Sequence, residues 1–204
     1  MAESPAAPAR LSRAARRTQL LDAARITFVD VGYHSAAMDD IAERAGVSKP
    51  VLYQHFPSKL ELYLALVSQT ANVLVVAVQS AIKSTEDNDT RVHRAVEAIF
   101  SFVGDRDQVH RLVFESDLSG NADVARVVAA MTEACIEAIS VPITTDTGID
   151  QARGRLLAAG LVGVSHVSAR FWLSQEDPVP ISEAVELVYP LAWRGISRFP
   201  RAGQ

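Results

Sequence analysis

Between Met38 and Phe56, two short segments with apolar residues at helical spacing flank the tripeptide Gly46-Val47-Ser48, and no other feature restricts the fold so tightly. Ile41 and Ala42 lie on the first segment, Val47 in the turn, and Leu52 and Phe56 on the second. So small an apolar set is buried where two short helices cross steeply around it, with the second exposed along one side. That is helix-turn-helix geometry, whose second helix enters the major groove of DNA. The spacing predicts a helix from about Met38 to Ala45, closed by Gly46, and another from Ser48 as N-cap to about His55. Pro50 falls in the first turn of the latter, where a missing N–H costs nothing. Met38, Leu52 and Phe56 are read as core.

Helical periodicity continues on both sides. Leu20, Leu21, Ala24, Phe28 and Val31 predict a first helix from about Ser12 to Val31, ended by Gly32 at the C′ position. Ser58 and Glu61 form an S-x-x-E capping box for a long fourth helix to about Lys83. Further helices are expected over Arg91–Val103, Arg106–Asp117, Ala122–Val141, Asp150–Leu173 and Ser182–Arg198. The breaks hold the polar run 84–90, Gly104-Asp105, Ser119-Gly120-Asn121, Pro142 to Gly148, and Asp177-Pro178-Val179-Pro180. The expected fold is all-α, with an N-terminal three-helix domain and a larger C-terminal helical bundle. Residues 1–9 are read as a flexible arm, 10–57 as the helix-turn-helix domain, and 58–204 as a ligand-binding and dimerisation domain.

With 49% hydrophobic and 22% charged residues, the chain has material for a substantial core. Its formal net charge of −4 argues at first against nucleic acid. The distribution matters more than the sum. Through Leu62, eight basic side chains face seven acidic ones, a net of +1, which leaves −5 for the remainder. The single cysteine, Cys135, excludes an internal disulfide and a cysteine-based metal site, and its apolar surroundings make it a buried, inert thiol. The five histidines show no metal-ligand spacing, and no phosphate loop, H-E-x-x-H or G-x-S-x-G motif is present, so neither an enzyme nor a cofactor is expected. No signal peptide is read in residues 1–17, and no run approaches the roughly 18 apolar residues of a membrane span. The expected location is cytoplasmic.

The N-terminal residues resemble the TetR family of transcriptional regulators. The stretch from Arg17 to Ala24 is similar to that family's first helix. Phe28, Gly32-Tyr33, Ile41-Ala42, Ala45-Gly46-Val47-Ser48, Leu52-Tyr53, His55-Phe56 and Ser58-Lys59 follow at the family's spacing. The match covers roughly residues 13–66; beyond it, the resemblance is one of length and helical layout. It implies that Tyr53, His55 and Lys59 touch DNA phosphates, which sets the register of the reading helix without specifying sequence. Lys49, Pro50, Val51 and Gln54 would face the groove. Lys49 would donate to guanine, Gln54 would pair with adenine, and Pro50 or Val51 would meet a thymine methyl, with solvent exposure as the alternative for each. Arg10, Arg13, Arg16 and Arg17 are read as phosphate or minor-groove contacts, or as a solvated arm. The sequence departs from the family at Ala36 and Ala37, where many members carry Thr or Ser to cap the second helix. Ser35 is the residue available to replace that cap, and a lost cap costs about 1 kcal/mol.

In the C-terminal part, small residues alternate with large ones along 155–172, and Val185, Val188, Leu191, Ala192 and Ile196 form a stripe on the last helix, which Pro190 should kink. The resemblance implies that these two helices pair with their copies in a four-helix bundle, making a homodimer that reads a palindromic operator in double-stranded DNA. It also implies a pocket for an unidentified small-molecule ligand between the middle helices. Phe100, Phe102, His110, Phe114, Met131, His166 and Arg170 are the candidates, with ordinary core packing as their alternative. His166 and Arg170, at i and i+4, would grip an acidic ligand or serve as polar groups of the interface. The expected mechanism is repression relieved when the ligand favours a different spacing of the two reading helices. The alternative is a TetR-fold ligand- or protein-binding module with weakened DNA contacts.

Overall fold

The computed structural model describes residues 11–105, 109–114, 118 and 120–196, with the backbone alone at Ile196. The expected arm 1–9, Arg10, and the flanks of the helix expected over 106–117 lie outside these residues. The described residues form helices α1 (Arg13–Ser35), α2 (Met38–Arg44), α3 (Lys49–His55), α4 (Lys59–Lys83), α5 (Asn88–Val103), α6 (His110–Phe114), α7 (Ala122–Thr147), α8 (Gln151–Leu173) and α9 (Ile181–Ile196), and no strand. The all-α expectation holds. The chain divides into two compact units, one through Leu66 and the other from Val67 onward.

In the first unit, α1 presents Leu20, Ala24 and Phe28 to the same core as Ile41, Leu52 and Phe56, all buried. The unit runs past Pro57, where the sequence placed the boundary, because the first two turns of α4 bury Leu62, Tyr63 and Leu66. The Tyr63 ring meets Phe28 edge-on at 5.0 Å and Tyr33 at 5.1 Å, the offset geometry that aromatic quadrupoles favour. Gln19 Nε2 donates to the Ala45 carbonyl at 2.7 Å and ties α1 to the end of α2. Gly32 interrupts α1 at φ 76°, a left-handed conformation costly to a residue with Cβ, and 33–35 form one further turn.

In the second unit α7 packs on α8, while α5 packs on α8 and α9. Gly154 sets the α7–α8 approach: a Cβ there would collide with the Thr144 methyl. Arg155 on α8 reaches Glu137 on α7 at 2.9 Å and also pairs with Glu133. Cys135 is buried in this unit, and burial pushes its thiol up to about 11, so the reactive thiolate is suppressed.

Four expectations change. The helix α5 begins at Asn88 rather than Arg91, because the Asp87 carboxylate accepts from the Thr90 N–H at 2.8 Å and caps it. Helix α7 does not stop before Pro142 but continues to Thr147, where left-handed Gly148 closes it. Proline removes one backbone bond, and packing of Thr144 against the Gly154 position on α8 holds the turn beyond it. Ser35 does not replace the missing cap; it ends α1, and α2 starts from Ala37 with no side-chain cap. Asp39 and Asp40 supply negative charge in the first turn of α2 instead. Finally, α4, α7 and α8 are long and apolar enough to cross a membrane by length and composition. The expectation of no such segment rested on uninterrupted apolar runs, which Thr, Ser, Gly and Gln break in these helices.

Candidate functional site

Turning from α2 into α3 requires Gly46, at φ 63° with open space around its missing Cβ. Its N–H bonds the Glu43 carbonyl, and Val47 N–H bonds that of Ala42. Ser48 precedes α3 in extended conformation and its carbonyl accepts from Val51 at 3.0 Å and Leu52 at 3.2 Å, while its hydroxyl makes no capping bond. Proline in the first turn needs no such partner.

Leu52 is the residue that α3 buries completely. Lys49, Pro50, Tyr53 and Gln54 are exposed, and Val51 and His55 are half-buried. With 3.6 residues per turn, positions 49, 50, 53 and 54 share one stripe. Helix α3, anchored by buried Leu52, thus presents an amide, a phenol, an ammonium and a flat apolar ring side by side. Of the residues expected at the groove, Lys49, Pro50 and Gln54 are exposed and Val51 is half-buried. Lys49 Nζ lies 2.7 Å from Asp39 Oδ1 on α2, so its charge is engaged within the unit.

At the other end of α3, Arg17 stacks its guanidinium 4.3 Å over the Phe56 ring. Arg13 and Arg16 stand on the same turns of α1, and Arg16 is held by Gln19 at 2.8 Å. Burial lowers the His55 pKa from its ordinary value, and the charges of Arg13, Arg17 and Arg16 lower it further. Arg13, Arg16 and Arg17 thus place positive charge near this end of α3 despite the negative total charge. Lys59 is engaged within the unit. Its ammonium bonds the Tyr33, Ala36 and His34 carbonyls at 2.8, 2.9 and 3.2 Å.

The ligand candidates separate into groups. Phe100 is fully buried at the wall of an open cavity of about 900 Å³ formed by α5, the end of α8, the turn after it and the start of α9. Val167, Phe171, Trp172, Val179, Leu187 and Val188 supply its apolar lining, and Gln175, Glu176 and Asp177 its polar rim. Trp172 donates to the Val179 carbonyl at 2.7 Å and fixes the turn. Sequence reasoning missed these residues, although the Pro178-Val179-Pro180 break and the adjacent Phe171-Trp172 mark the place. Phe102, Phe114 and His166 meet elsewhere as a ring cluster, Phe102 edge-on to Phe114 and Phe114 tilted against His166 with centroids 4.0 Å apart. His166 Nε2 is buried without a hydrogen-bond partner, and burial, then Arg170, lowers the His166 pKa. His110 and Met131 are buried in the core, and Arg170 is exposed. A second open cavity, of about 510 Å³, lies between the ends of α4 and α7 beside Lys83 and Arg91.

Among the described residues, α8 and α9 carry an exposed apolar face. Leu156, Val167 and Phe171 on α8 are 74%, 67% and 67% exposed, and Leu187 and Leu191 on α9 are 65% and 67% exposed. Gly160 and Gly163 open space between the α8 residues.

Sequence and structure comparisons agree with this geometry. The family described as bacterial regulatory proteins, tetR family, matches residues 20–66. The HTH-type transcriptional activator FasR of Mycolicibacterium smegmatis is 49% identical over 191 residues, covering 94% of this chain and 87% of its own. RutR of Escherichia coli is 38% identical over 66 residues, which span 31% of its length. Among solved structures, a TetR-like regulator from Rhodococcus sp. RHA1 superposes with a TM-score of 0.71 at 30% identity, covering 93% of this chain and all of that one. The fold is shared with Bacillus subtilis FadR in complex with stearoyl-CoA, at a TM-score of 0.71 and 18% identity, covering 86% and 96% of the two chains. These relatives are regulators rather than enzymes. The chain belongs to the TetR family and is a DNA-binding, helix-turn-helix transcriptional regulator.

Proposed function

We propose that this regulator binds a palindromic operator as a homodimer in the cytoplasm, inserting α3 of each copy in the major groove, and that a small apolar ligand controls its occupancy. The exposed stripe Lys49-Pro50-Tyr53-Gln54, held out by buried Leu52, carries the reading. In this reading Gln54 and Lys49 contact bases beside Val51 and Pro50, while Tyr53, His55, Arg13 and Arg17 contact phosphates. Exposed Leu156 and Leu191 support pairing of α8 and α9 with their copies, with Val167, Phe171 and Leu187 at the margin shared with the cavity. Apolar area of this kind on a soluble chain marks an interaction surface.

For the ligand, the cavity lined by Phe100, Val167 and Trp172 favours a long apolar body. A fatty acyl thioester is the first class to test, because the FadR neighbour was solved with stearoyl-CoA. The direction of control is proposed as activation, following the FasR relative's name, in place of the repression expected from sequence. The test selects operators from random duplexes and then measures a promoter reporter with and without the protein. Rising output on binding supports activation, and falling output supports repression. Absence of binding even at low salt favours the module with weakened DNA contacts, for which uncapped Ala37 is the motivating observation.

A further inference from the structure

Lys59 holds the corner between α1 and α2. Gly32 breaks α1, so the short turn that follows exposes carbonyls lacking helical partners, as the last carbonyls of any helix do. Lys59, the first residue of α4, returns to that turn. Its Nζ donates to the Tyr33 carbonyl at 2.8 Å, the Ala36 carbonyl at 2.9 Å and the His34 carbonyl at 3.2 Å. It also lies 4.6 Å from the centre of the Tyr33 ring. An ammonium has three N–H donors, and three carbonyls receive them. None is left to reach outward. The acceptors flank the entry to α2, whose N-cap residue, Ala37, offers no side chain to fix it.

We propose that Lys59 is a positioning residue that caps the α1–α2 corner and thereby sets the pose of α2 and α3, a role beyond the phosphate contact that the family resemblance implies. A cation at a helix C-terminus is favoured by the helix dipole as well as by the orphan carbonyls. A compact ammonium meets three converging oxygens; a planar guanidinium spreads its donors in a fork and cannot. The two roles therefore respond oppositely to arginine, which serves a phosphate as well as lysine does.

The test uses the full chain and a selected operator duplex. Lys59→Arg and Lys59→Met are each expected to weaken DNA binding about tenfold, compared at equal folded fraction by circular dichroism. A purely structural role would lower the thermal midpoint and leave the affinity of the folded protein unchanged. Wild-type affinity in either folded variant overturns the proposal. Lysine acetylation of the wild-type protein gives a reading independent of variant folding, since the chain has only Lys49, Lys59 and Lys83. Lys59 is expected to react at least about tenfold more slowly than exposed Lys83, with and without operator DNA. Labelling of Lys59 at the rate of Lys83 in the free protein overturns the proposal, whatever DNA then does.

Discussion

Lys49 Nζ and Asp39 Oδ1 lie 2.7 Å apart, joining the first residue of α3 to the first turn of α2. The pair raises the Lys49 pKa, chiefly through the side-chain hydrogen bond that Lys49 donates to Asp39 and then through the carboxylate's charge. In the proposed DNA complex, Lys49 leaves or shares this partner, and the Asp39 carboxylate faces phosphate repulsion. Asp39→Asn is expected to strengthen operator binding roughly threefold at low salt, because it frees the ammonium and removes a like charge. Fluorescence anisotropy titrations of both proteins check this, and weaker binding by the variant counts against a Lys49 contact.

Tyr53 and Gln54 are neighbours on the exposed stripe with different tasks. Gln54→Ala is expected to cost about 1–3 kcal/mol on the preferred operator and to relax the base preference at one position per half-site. Tyr53→Phe removes a hydroxyl and should weaken all duplexes evenly. Binding measured across a library of single-base variants separates the two patterns.

His55 and His166 both have pKa values below the ordinary 6.5, first because burial penalises the charged form and then because arginines lie nearby. As pH falls through about 6.5, the unfolded chain takes up protons that the folded state resists, so stability is lost on the acid side. The denaturation midpoint should fall between about pH 7.5 and about pH 5.5, and the fall should be smaller in His166→Gln. An equal fall in the variant removes His166 from the account.

Leu187 and Leu191 stand one turn apart on α9, 65% and 67% exposed. Leu191→Glu is expected to convert the protein to monomer in sedimentation velocity and to abolish tight operator binding, since a charge cannot be covered by a second apolar face. A dimeric Leu191→Glu protein would place the interface elsewhere.

Local signals made much of this legible. Gly46 and the Ile41, Val47 and Leu52 spacing located α2 and α3 because a turn between short helices admits few residues there. Asp150 and Ser58 marked real helix starts, for each accepts a capping N–H. What escaped was tertiary. Pro142 reads as a stop, yet packing at Gly154 carries α7 past it. Lys59 reads as an outward cation, and only the folded corner shows three carbonyls converging on it. The cavity at Phe100 and Trp172 needs α5, α8 and α9 together, and no one segment announces it.

Footprinting on a selected operator tests the central claim, two copies of α3 in one duplex, most directly. The account predicts two protected half-sites related by two-fold symmetry, spaced by about 10–10.5 base pairs or a multiple, with protection weakened in Gln54→Ala and lost in Leu191→Glu. Protection of a single half-site, or none at low salt, contradicts it.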